Sequence, residues 1–300
     1  MKTARHLPLL LCLCIGQALA DTPIQLQHDA TPTARIHVSA IAGSVSVVAW
    51  DRNEVLVTGR LGDGAKPLDI QGNKDDLTIK VEPQVGSGWF NWRGDSRMGA
   101  TTLELHVPRA ASLDVHVISA PLVIDGLDGG DIAVNTISGK ARINARTPSL
   151  KVDSVSGGIK LAGHAERADL QSVSGDILAP TLGRSVTLQT ISGHIQAAGG
   201  PWQDLTLSSV SGDVQLSGGL AADGSLRVDS MSGDVQLQLP ADTSAQLHAS
   251  SFSGDLRSDF GTPRQPEHGP GSSLDARLGN GRGKINLETF SGDLRVRKQD

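Results

Sequence analysis

Cysteine, tyrosine and aromatic residues are scarce in this sequence. Its 300 residues include two cysteines, both within the first 20 positions, no tyrosine, and only 3% aromatic residues. If those first positions are removed on export, the rest of the chain has no thiol, which excludes disulfides, cysteine nucleophiles and cysteine metal sites. With so few aromatic rings, a hydrophobic core has to be built from valine, isoleucine, leucine and alanine.

Basic residues are outnumbered by acidic ones. The chain has 27 Lys and Arg against 32 Asp and Glu; without Lys2 and Arg5 the balance is 25 against 32, a net charge of −7 with histidine neutral. Nucleic-acid-binding domains need a basic surface, so the composition predicts no nucleic-acid partner.

Long apolar runs are also absent, apart from a short one at residues 7–15. This run follows Lys2 and Arg5 and precedes Ala18-Leu19-Ala20, a pattern typical of a cleaved secretory signal. It is well short of the roughly 20 residues that a membrane-spanning helix needs. We therefore predict a signal peptide at residues 1–20 and no membrane span after its cleavage. The mature protein is expected to be exported, either periplasmic or on the cell surface or secreted.

What the sequence does have is a repeat, marked by a Ser-Gly pair. The steps between successive glycines are 18 to 21 residues, followed by one of 38, about two periods. Ala120 and Gly43 mark two earlier copies. The glycines of the pairs are Gly139, Gly157, Gly175, Gly193, Gly212, Gly233, Gly254 and Gly292.

Apolar residues recur at fixed offsets from each of these positions, namely −7, −5, −2, +2 and +4. Around Gly212, for example, they are Leu205, Leu207, Val210, Val214 and Leu216, and over ten copies 49 of 50 such positions are apolar. The period-two spacing on either side predicts two short half-buried strands. The step of three between −5 and −2 breaks the alternation, so we expect a bend there, with glycine at the corner. We expect all five apolar positions, −2 included, to face one hydrophobic interior.

Two architectures fit this repeat. A near-constant period favours stacked coils, which predicts an all-β, single-stranded, right-handed parallel β-solenoid (β-helix) of 18–21-residue repeats. The alternative is an antiparallel β-sandwich or barrel. We expect residues 21–112 to form an irregular N-terminal β section and cap, continuous with a Ser-Gly repeat solenoid at 113–300. The stretch 258–284 is rich in Pro and Gly and is expected to be a loop.

The repeat motifs resemble those of a known bacterial family. They are Gly-Ser-Val-Ser-Val at 43–47, Ser-Val-Ser-Gly-Asp at 172–176 and 209–213, and Leu-Glu-Thr-Phe-Ser-Gly-Asp-Leu at 287–294. Over roughly residues 35–297 the chain is similar to the β-strand-repeat family of putative adhesins, domain of unknown function 4097. The resemblance implies a β-solenoid-like fold and export or association with the cell envelope. It implies no established reaction and no catalytic residues.

An aspartate often follows the corner glycine, as at Asp213, Asp234 and Asp255. Carboxylates stacked one coil apart could bind a divalent cation such as calcium, which prefers several oxygen ligands. The plainer interpretation, which we favour, is that each carboxylate accepts hydrogen bonds from nearby turn N–H groups. We predict no bound metal and no cofactor.

Trp89, Phe90, Trp92 and Arg93 lie together in a Gly-rich segment. Exposed tryptophan rings could bind a sugar or a protein partner, which makes these four residues the candidate ligand-binding residues. The alternative is a hydrophobic plug that caps the open end of the solenoid.

The sequence therefore predicts a non-enzymatic exported envelope protein, either an adhesin-like binding protein or a structural scaffold. Its expected partner is an envelope protein or a polysaccharide. The alternative is a polysaccharide lyase or hydrolase on a β-helix, which would need carboxylates and a basic residue converging on one face. The outward positions are mostly Gln, Ser, Thr and single charges, so we predict that the protein is not an enzyme.

Overall fold

In a computed structural model of the protein, residues 22–84, 99–265 and 270–299 are described. These residues form 21 strands and no helix, which confirms the all-β prediction. Accordingly, no helix in the described ranges has the length and hydropathy to cross a bilayer. The predicted signal peptide lies outside them. The strands are β1 (Thr22–Asp29), β2 (Arg35–Trp50), β3 (Glu54–Leu61), β4 (Ile70–Gly72), β5 (Asp76–Lys80), β6 (Thr101–Pro108), β7 (Ser112–Ser119), β8 (Leu122–Asp128), β9 (Ile132–Ser138), β10 (Ala141–Ser154), β11 (Ile159–Leu161), β12 (His164–Ser172), β13 (Ile177–Ser192), β14 (Ile195–Ser211), β15 (Val214–Ser232), β16 (Val235–Pro240), β17 (Ala245–Ser253), β18 (Leu256–Ser258), β19 (Ser272–Leu278), β20 (Gly283–Ser291) and β21 (Leu294–Gln299).

Each repeat forms one coil, which consists of a strand before the corner and a strand after it. Successive strands before the corner pair in parallel, and so do the strands after it. We call these two sets the leading ladder and the trailing ladder. The long strands β10, β13, β14 and β15 leave one coil in the trailing ladder and enter the next in the leading ladder without a break.

The order of the coils in space differs from their order in the chain at both ends. The leading ladder runs β5, β2, β7, β9, β10, β12, β13, β14, β15, β20, β17. The coil of β20 and β21, last in sequence, is thus inserted between β15–β16 and the coil of β17 and β18. At the other end, β2 lies inside the later coil of β5 and β6.

Antiparallel strands complete both ends of the stack. β3 pairs antiparallel with β6 and with β1, and β4 pairs antiparallel with β5. At the opposite end β19 pairs antiparallel with β17. Parallel pairing, predicted for the whole array, therefore describes the interior coils only. The prediction of a loop over 258–284 was wrong in part, because β19 lies within that stretch.

The core is one continuous column between the two ladders. The predicted inward positions −7, −5, +2 and +4 are buried, as shown by Leu205, Leu207, Val214 and Leu216, each at most 2% exposed. Trp202 is fully buried among them and is the largest side chain in the core. Each layer therefore repeats the same apolar contacts, which is how a chain with few aromatic residues fills its interior.

Candidate functional site

The Ser-Gly corner has the same local structure in successive coils. The residue at −3 is a buried Ser or Thr that points inward. In some of the coils its hydroxyl also hydrogen-bonds to the corner glycine. The Ser154 Oγ donates to the Gly157 carbonyl at 2.7 Å and accepts the Gly157 N–H at 3.0 Å. Ser172 accepts the Gly175 N–H at 2.8 Å. The alternation of inward positions from −7 and −5 thus continues to −3.

Because −3 points inward, the next residue, at −2, points outward. This outcome contradicts the prediction that −2 belongs to the core. In nine of the ten copies the exposed fraction at −2 runs from 40% at Val173 to 60% at Met231, although every one of these residues is apolar. The tenth, Ile41, is only partly exposed. We call the set of nine the apolar stripe. Its members are Ile118, Ile137, Val155, Val173, Ile191, Val210, Met231, Phe290 and Phe252, in the order of the coils.

The apolar stripe is an unbroken column of side chains, one in each of nine successive coils. Backbone register places Ile191 beside Val210 and Val210 beside Met231. At its end the rings of Phe252 and Phe290 stack with centroids 4.9 Å apart and planes 8° from parallel. Nine coils at a spacing of about 4.8 Å give the stripe a length of roughly 40 Å.

A groove runs along one side of the apolar stripe. Its volume is about 1620 Å³. The stripe forms one wall, the small residues at −3 line the floor, and the residues at −4 form a polar wall that includes Asp153, Gln171, Gln189 and Asp229. Arg264 and Ser273 line it at one end. This corner groove, with one apolar and one polar wall, is a candidate binding surface.

On the other side of the stripe lies a column of residues at +1, which includes the metal candidates of the sequence. Their carboxylates accept backbone N–H groups from the next coil. Asp213 accepts the N–H of Asp234 at 3.0 Å, Asp234 accepts that of Asp293 at 3.0 Å, and Asp293 accepts that of Asp255 at 3.1 Å. Asp255 is therefore separated from Asp234 by one coil, since the last coil of the chain lies between them. No group of three or more potential metal ligands occurs among the described residues.

Arginines two positions further along the trailing strand offset several of these charges. Arg295 lies 2.7 Å from Asp293 and 3.5 Å from Asp234, and Arg257 lies 3.0 Å from Asp255. On the polar wall of the groove, Arg227 binds Asp229 at 2.8 Å. The hydrogen bond that Arg227 donates to this carboxylate raises the pKa of the Arg227 guanidinium.

The corner glycines lie directly over one another. A Cβ added at Gly157 would lie 1.7 Å from the Gly139 carbonyl oxygen, and one added at Gly175 would lie 2.2 Å from that of Gly157. Glycine is thus required at the corner by the close approach of the next coil. The same column contains Gly193, Gly212, Gly233, Gly292 and Gly254.

The aromatic segment with Trp89, Phe90, Trp92 and Arg93 lies outside the described residues, so both of its interpretations stay predictions. The apolar stripe, in contrast, was missed as a surface. The signal was present in the sequence: −3 is Ser or Thr in most copies and continues the alternation of −7 and −5. If the inward side chains alternate from −7 through −5 to −3, the apolar side chain at −2 must point outward.

Three crystal structures show the likeness of this chain to known proteins. A "putative lipid binding protein" from Parabacteroides distasonis is 12% identical, with 93% of this chain and 97% of that chain covered and a TM-score of 0.52. A "putative adhesin" from the same species is 11% identical, with 93% and 98% covered and a TM-score of 0.41. A "putative adhesin" from Bacteroides fragilis is 14% identical, with 93% and 98% covered and a TM-score of 0.36. The first of these likenesses shows a shared fold.

No curated protein matches the sequence. A family model, by contrast, covers residues 33–297, nearly all of the described chain and all of its coils. The β-strand-repeat resemblance is thereby confirmed, and the chain belongs to the Toastrack DUF4097 family.

Proposed function

We propose that this protein is an exported, non-enzymatic binding protein of the cell envelope that associates with its partner through the apolar stripe and the corner groove. The observation that carries the proposal is the apolar stripe itself, in which every coil from Ile118 to Phe252 exposes an apolar side chain at the same position. Monomeric proteins rarely expose long contiguous apolar patches, and such patches mark interaction sites.

The energetics favour a covered stripe. Full burial of a Val, Ile, Met or Phe side chain contributes about 1.5–3 kcal/mol. The nine side chains are about half exposed. A partner that covered all of them would gain on the order of 10 kcal/mol before the costs of association.

The charges around the corner support binding over catalysis. A hydrolase would need carboxylates free to act as acid, base or nucleophile. Here the carboxylates of Asp213, Asp234 and Asp293 accept backbone N–H groups, and Arg295 neutralises two of them. Turnover of any polysaccharide by the purified protein would contradict the non-enzymatic part of the proposal.

The proposal also includes export of the protein and a right-handed coil. The N-terminal pattern of Lys2, Arg5 and Ala18-Leu19-Ala20 supports a secretory signal. Connections between parallel strands of one sheet are right-handed in about 98% of cases, which supports a right-handed coil.

The names of similar structures agree with a binding role. One is called a lipid binding protein and two are called adhesins. Lipid, glycan and protein are therefore the ligand classes to compare, and the aliphatic character of the stripe favours an apolar partner over sugar rings, which stack on aromatic residues.

The proposal is tested with the protein immobilised through a C-terminal tag. Four analytes are passed over it: vesicles of phosphatidylethanolamine and phosphatidylglycerol, palmitate, soluble peptidoglycan fragments, and a soluble copy of the same chain. We expect at least one to bind, and to bind at least tenfold more weakly to Val173→Asp and Ile191→Asp.

Gln196→Asp is the matched control, because Gln196 is exposed on the trailing ladder of the same coil as Ile191, away from the stripe. It adds the same charge and should leave binding unchanged. Circular dichroism checks that all variants fold. If no analyte binds, or if the stripe variants bind as well as the control, the proposed surface is wrong.

A further inference from the structure

We infer that the partner at the apolar stripe is a second copy of this chain, packed antiparallel so that the two stripes lie face to face. The inference rests on the proposed function and names the partner for the same surface. Four properties bear on the inference: the spacing of the side chains in the stripe, their size, the charges beside them and the apolar area that they expose.

The spacing of the stripe matches another stack of the same kind. Its side chains recur once per coil, at the strand separation of about 4.8 Å. An extended peptide strand repeats its side chains on one face every 6.6–6.8 Å or so, and an α-helix repeats by turns of about 5.4 Å. Over nine coils those periods lose register with the stripe. Two copies of the stripe keep it along the whole length and can interdigitate as in a steric zipper.

Side-chain size decides between the two possible orientations. The bulky members Met231, Phe290 and Phe252 are adjacent at one end of the stripe. The members at the other end, Ile118 and Ile137, are smaller and β-branched. Antiparallel packing pairs each bulky side chain with a smaller one and keeps the interface even. Parallel packing would pair bulky with bulky and leave a wedge-shaped gap.

The charge beside the stripe also differs between the two ends of the stripe. At +1, the end near Ile137 has Lys140, and the end near Phe290 has Asp293 and Asp255. Turning the second copy end over end brings its Lys140 to the acidic end of the first. Closer to the axis the +1 column contains His194, with Asp176 and Asp213 in the coils on either side.

A parallel arrangement would bring a different set of charges together. In this arrangement the polar wall of the groove in one copy would face the +1 column of the other copy. Asp229 and Glu288 of one copy would then face Asp234 and Asp293 of the other. Like charges placed opposite one another are destabilising. The antiparallel arrangement also has such pairs, because it places Asp176 opposite Asp213 and Asp153 opposite Asp229. Side-chain size and the pairing of Lys140 with Asp293 therefore distinguish the two arrangements.

The area is adequate for a dimer. The exposed fractions of the nine side chains together correspond to between four and five fully exposed apolar side chains. At roughly 100 Å² each this is on the order of 450 Å² of apolar surface per copy. A standard interface buries about 800 Å² per partner. The polar wall and the +1 column flank the stripe along its length and supply the remainder as a polar rim.

Single cysteines test the arrangement. Ile191 is the fifth of nine members of the stripe, so the antiparallel dimer places it on the two-fold axis, opposite itself. In a background where Cys12 and Cys14 are serine, we expect Ile191→Cys to form a disulfide-linked dimer under mild oxidation. Ile118→Cys alone and Phe252→Cys alone should not, because each faces the opposite end of the partner. A mixture of the Ile118→Cys and Phe252→Cys proteins should yield the mixed dimer.

Sedimentation velocity provides the second readout. The wild type and Gln196→Asp should sediment as dimers, and Ile191→Asp and Val173→Asp should lose the dimer boundary while remaining folded. Cross-linking of Ile118→Cys with itself would overturn the antiparallel arrangement. A monomeric wild type without the Ile191→Cys cross-link would overturn the second copy as partner. The proposed function would still stand in that case if vesicles, palmitate or peptidoglycan bound in a stripe-dependent way, and would fall if none did.

Discussion

At the scale of single residues, the corner shows how four positions divide their roles. The Ser or Thr at −3 points inward and, as at Ser154 and Ser172, can hydrogen-bond to the corner glycine. The apolar residue at −2 points outward, and the glycine allows the close approach of the neighbouring coil. The residue at +1 then accepts an N–H from the next coil, as Asp213 does from Asp234. Three of the four positions therefore build the corner, and the fourth, at −2, forms the apolar stripe.

Adjacent glycines offer a matched test of the close approach at the corner. A methyl group at Gly157 would lie 1.7 Å from the Gly139 carbonyl oxygen, whereas one at Gly158 has its nearest neighbour, the Asp176 oxygen, at 3.5 Å. Neither glycine has a positive φ that would strain alanine. We expect Gly157→Ala to lower the free energy of unfolding by about 1–3 kcal/mol, since the next coil must shift. Gly158→Ala should change it by less than about 0.5 kcal/mol. Equal effects in urea denaturation would contradict this account of the corner.

Glu82 gives a second prediction at this scale. Lys66 at 2.8 Å and Lys80 at 2.7 Å bind its carboxylate and lower its pKa from 4.5 to about 2. A carboxyl group with a lowered folded-state pKa stabilises the protein above its ordinary pKa, and this stabilisation is lost as the pH falls through the folded-state value. Wild type should therefore be more stable than Glu82→Gln at neutral pH. The difference should shrink below about pH 4.5 and vanish near pH 2.

The lysines provide the control for Glu82. In a Lys66→Met, Lys80→Met background, Glu82→Gln should have no pH-dependent effect on the urea midpoint, because the charges that lower the pKa are gone. All three side chains are solvent-exposed, so high salt should reduce the difference as well. A difference that persists at pH 2 would mean that the ion pairs are not its cause.

At the scale of elements, the main feature is the exchange of coil order at each end. β20 is paired on both sides, with β15 and with β17, although it is among the last 20 residues of the chain. β19 precedes it in sequence but lies further out and pairs with β17. A chain end inside the stack cannot fray without breaking two ladders. The exchanged order of the coils therefore protects the C-terminal strands from fraying, and β19 is the outer strand.

Hydrogen exchange distinguishes this arrangement from a stack in sequence order. Exchange of strand amides reports local opening, which is easiest at edges. We expect the amides of β20 to exchange more slowly than those of β19. In a stack that followed the sequence, the last strand would be the outermost and would exchange fastest. Peptides that cover 272–278 and 284–291 resolve the two cases by mass spectrometry, and faster exchange in β20 would contradict the exchanged order.

At the scale of the whole molecule, the sequence predicted the column and missed the order of its coils and its outer surface. Offsets −7, −5, +2 and +4 identified the core because each layer repeats the same burial. The stripe was assigned to the core because an apolar residue was assumed to be buried, and at Val210 or Phe290 it is not.

The exchanged coil order was beyond the sequence for a physical reason. The coils containing Gly254 and Gly292 share four of the five apolar positions and differ only at +4, where Ser258 stands against Val296. Either could therefore follow the coil of Gly233. The interval of 38 residues between them was interpreted as about two periods. What selects the observed order is the intervening β19, whose pairing with β17 makes that coil the outer one. Long-range pairing of this kind leaves no local signal.

The near-identity of the interior coils leads to a prediction about the molecule as a whole. Deleting residues 158–175 removes 18 residues, one full period, and joins Gly157 to Asp176. The register Ala141↔Ile159↔Ile177 shows that β13 would then lie directly on β10 with its apolar positions aligned. Because each coil contacts only its neighbours, we expect a folded protein with a single cooperative thermal transition and a stack shorter by about 4.8 Å. Deleting residues 167–175, half a period, removes most of one leading strand and shifts every later coil out of alignment. That variant should lose the cooperative transition in circular dichroism. A full-period deletion that unfolds as readily as the half-period one would show that the coils are not interchangeable units.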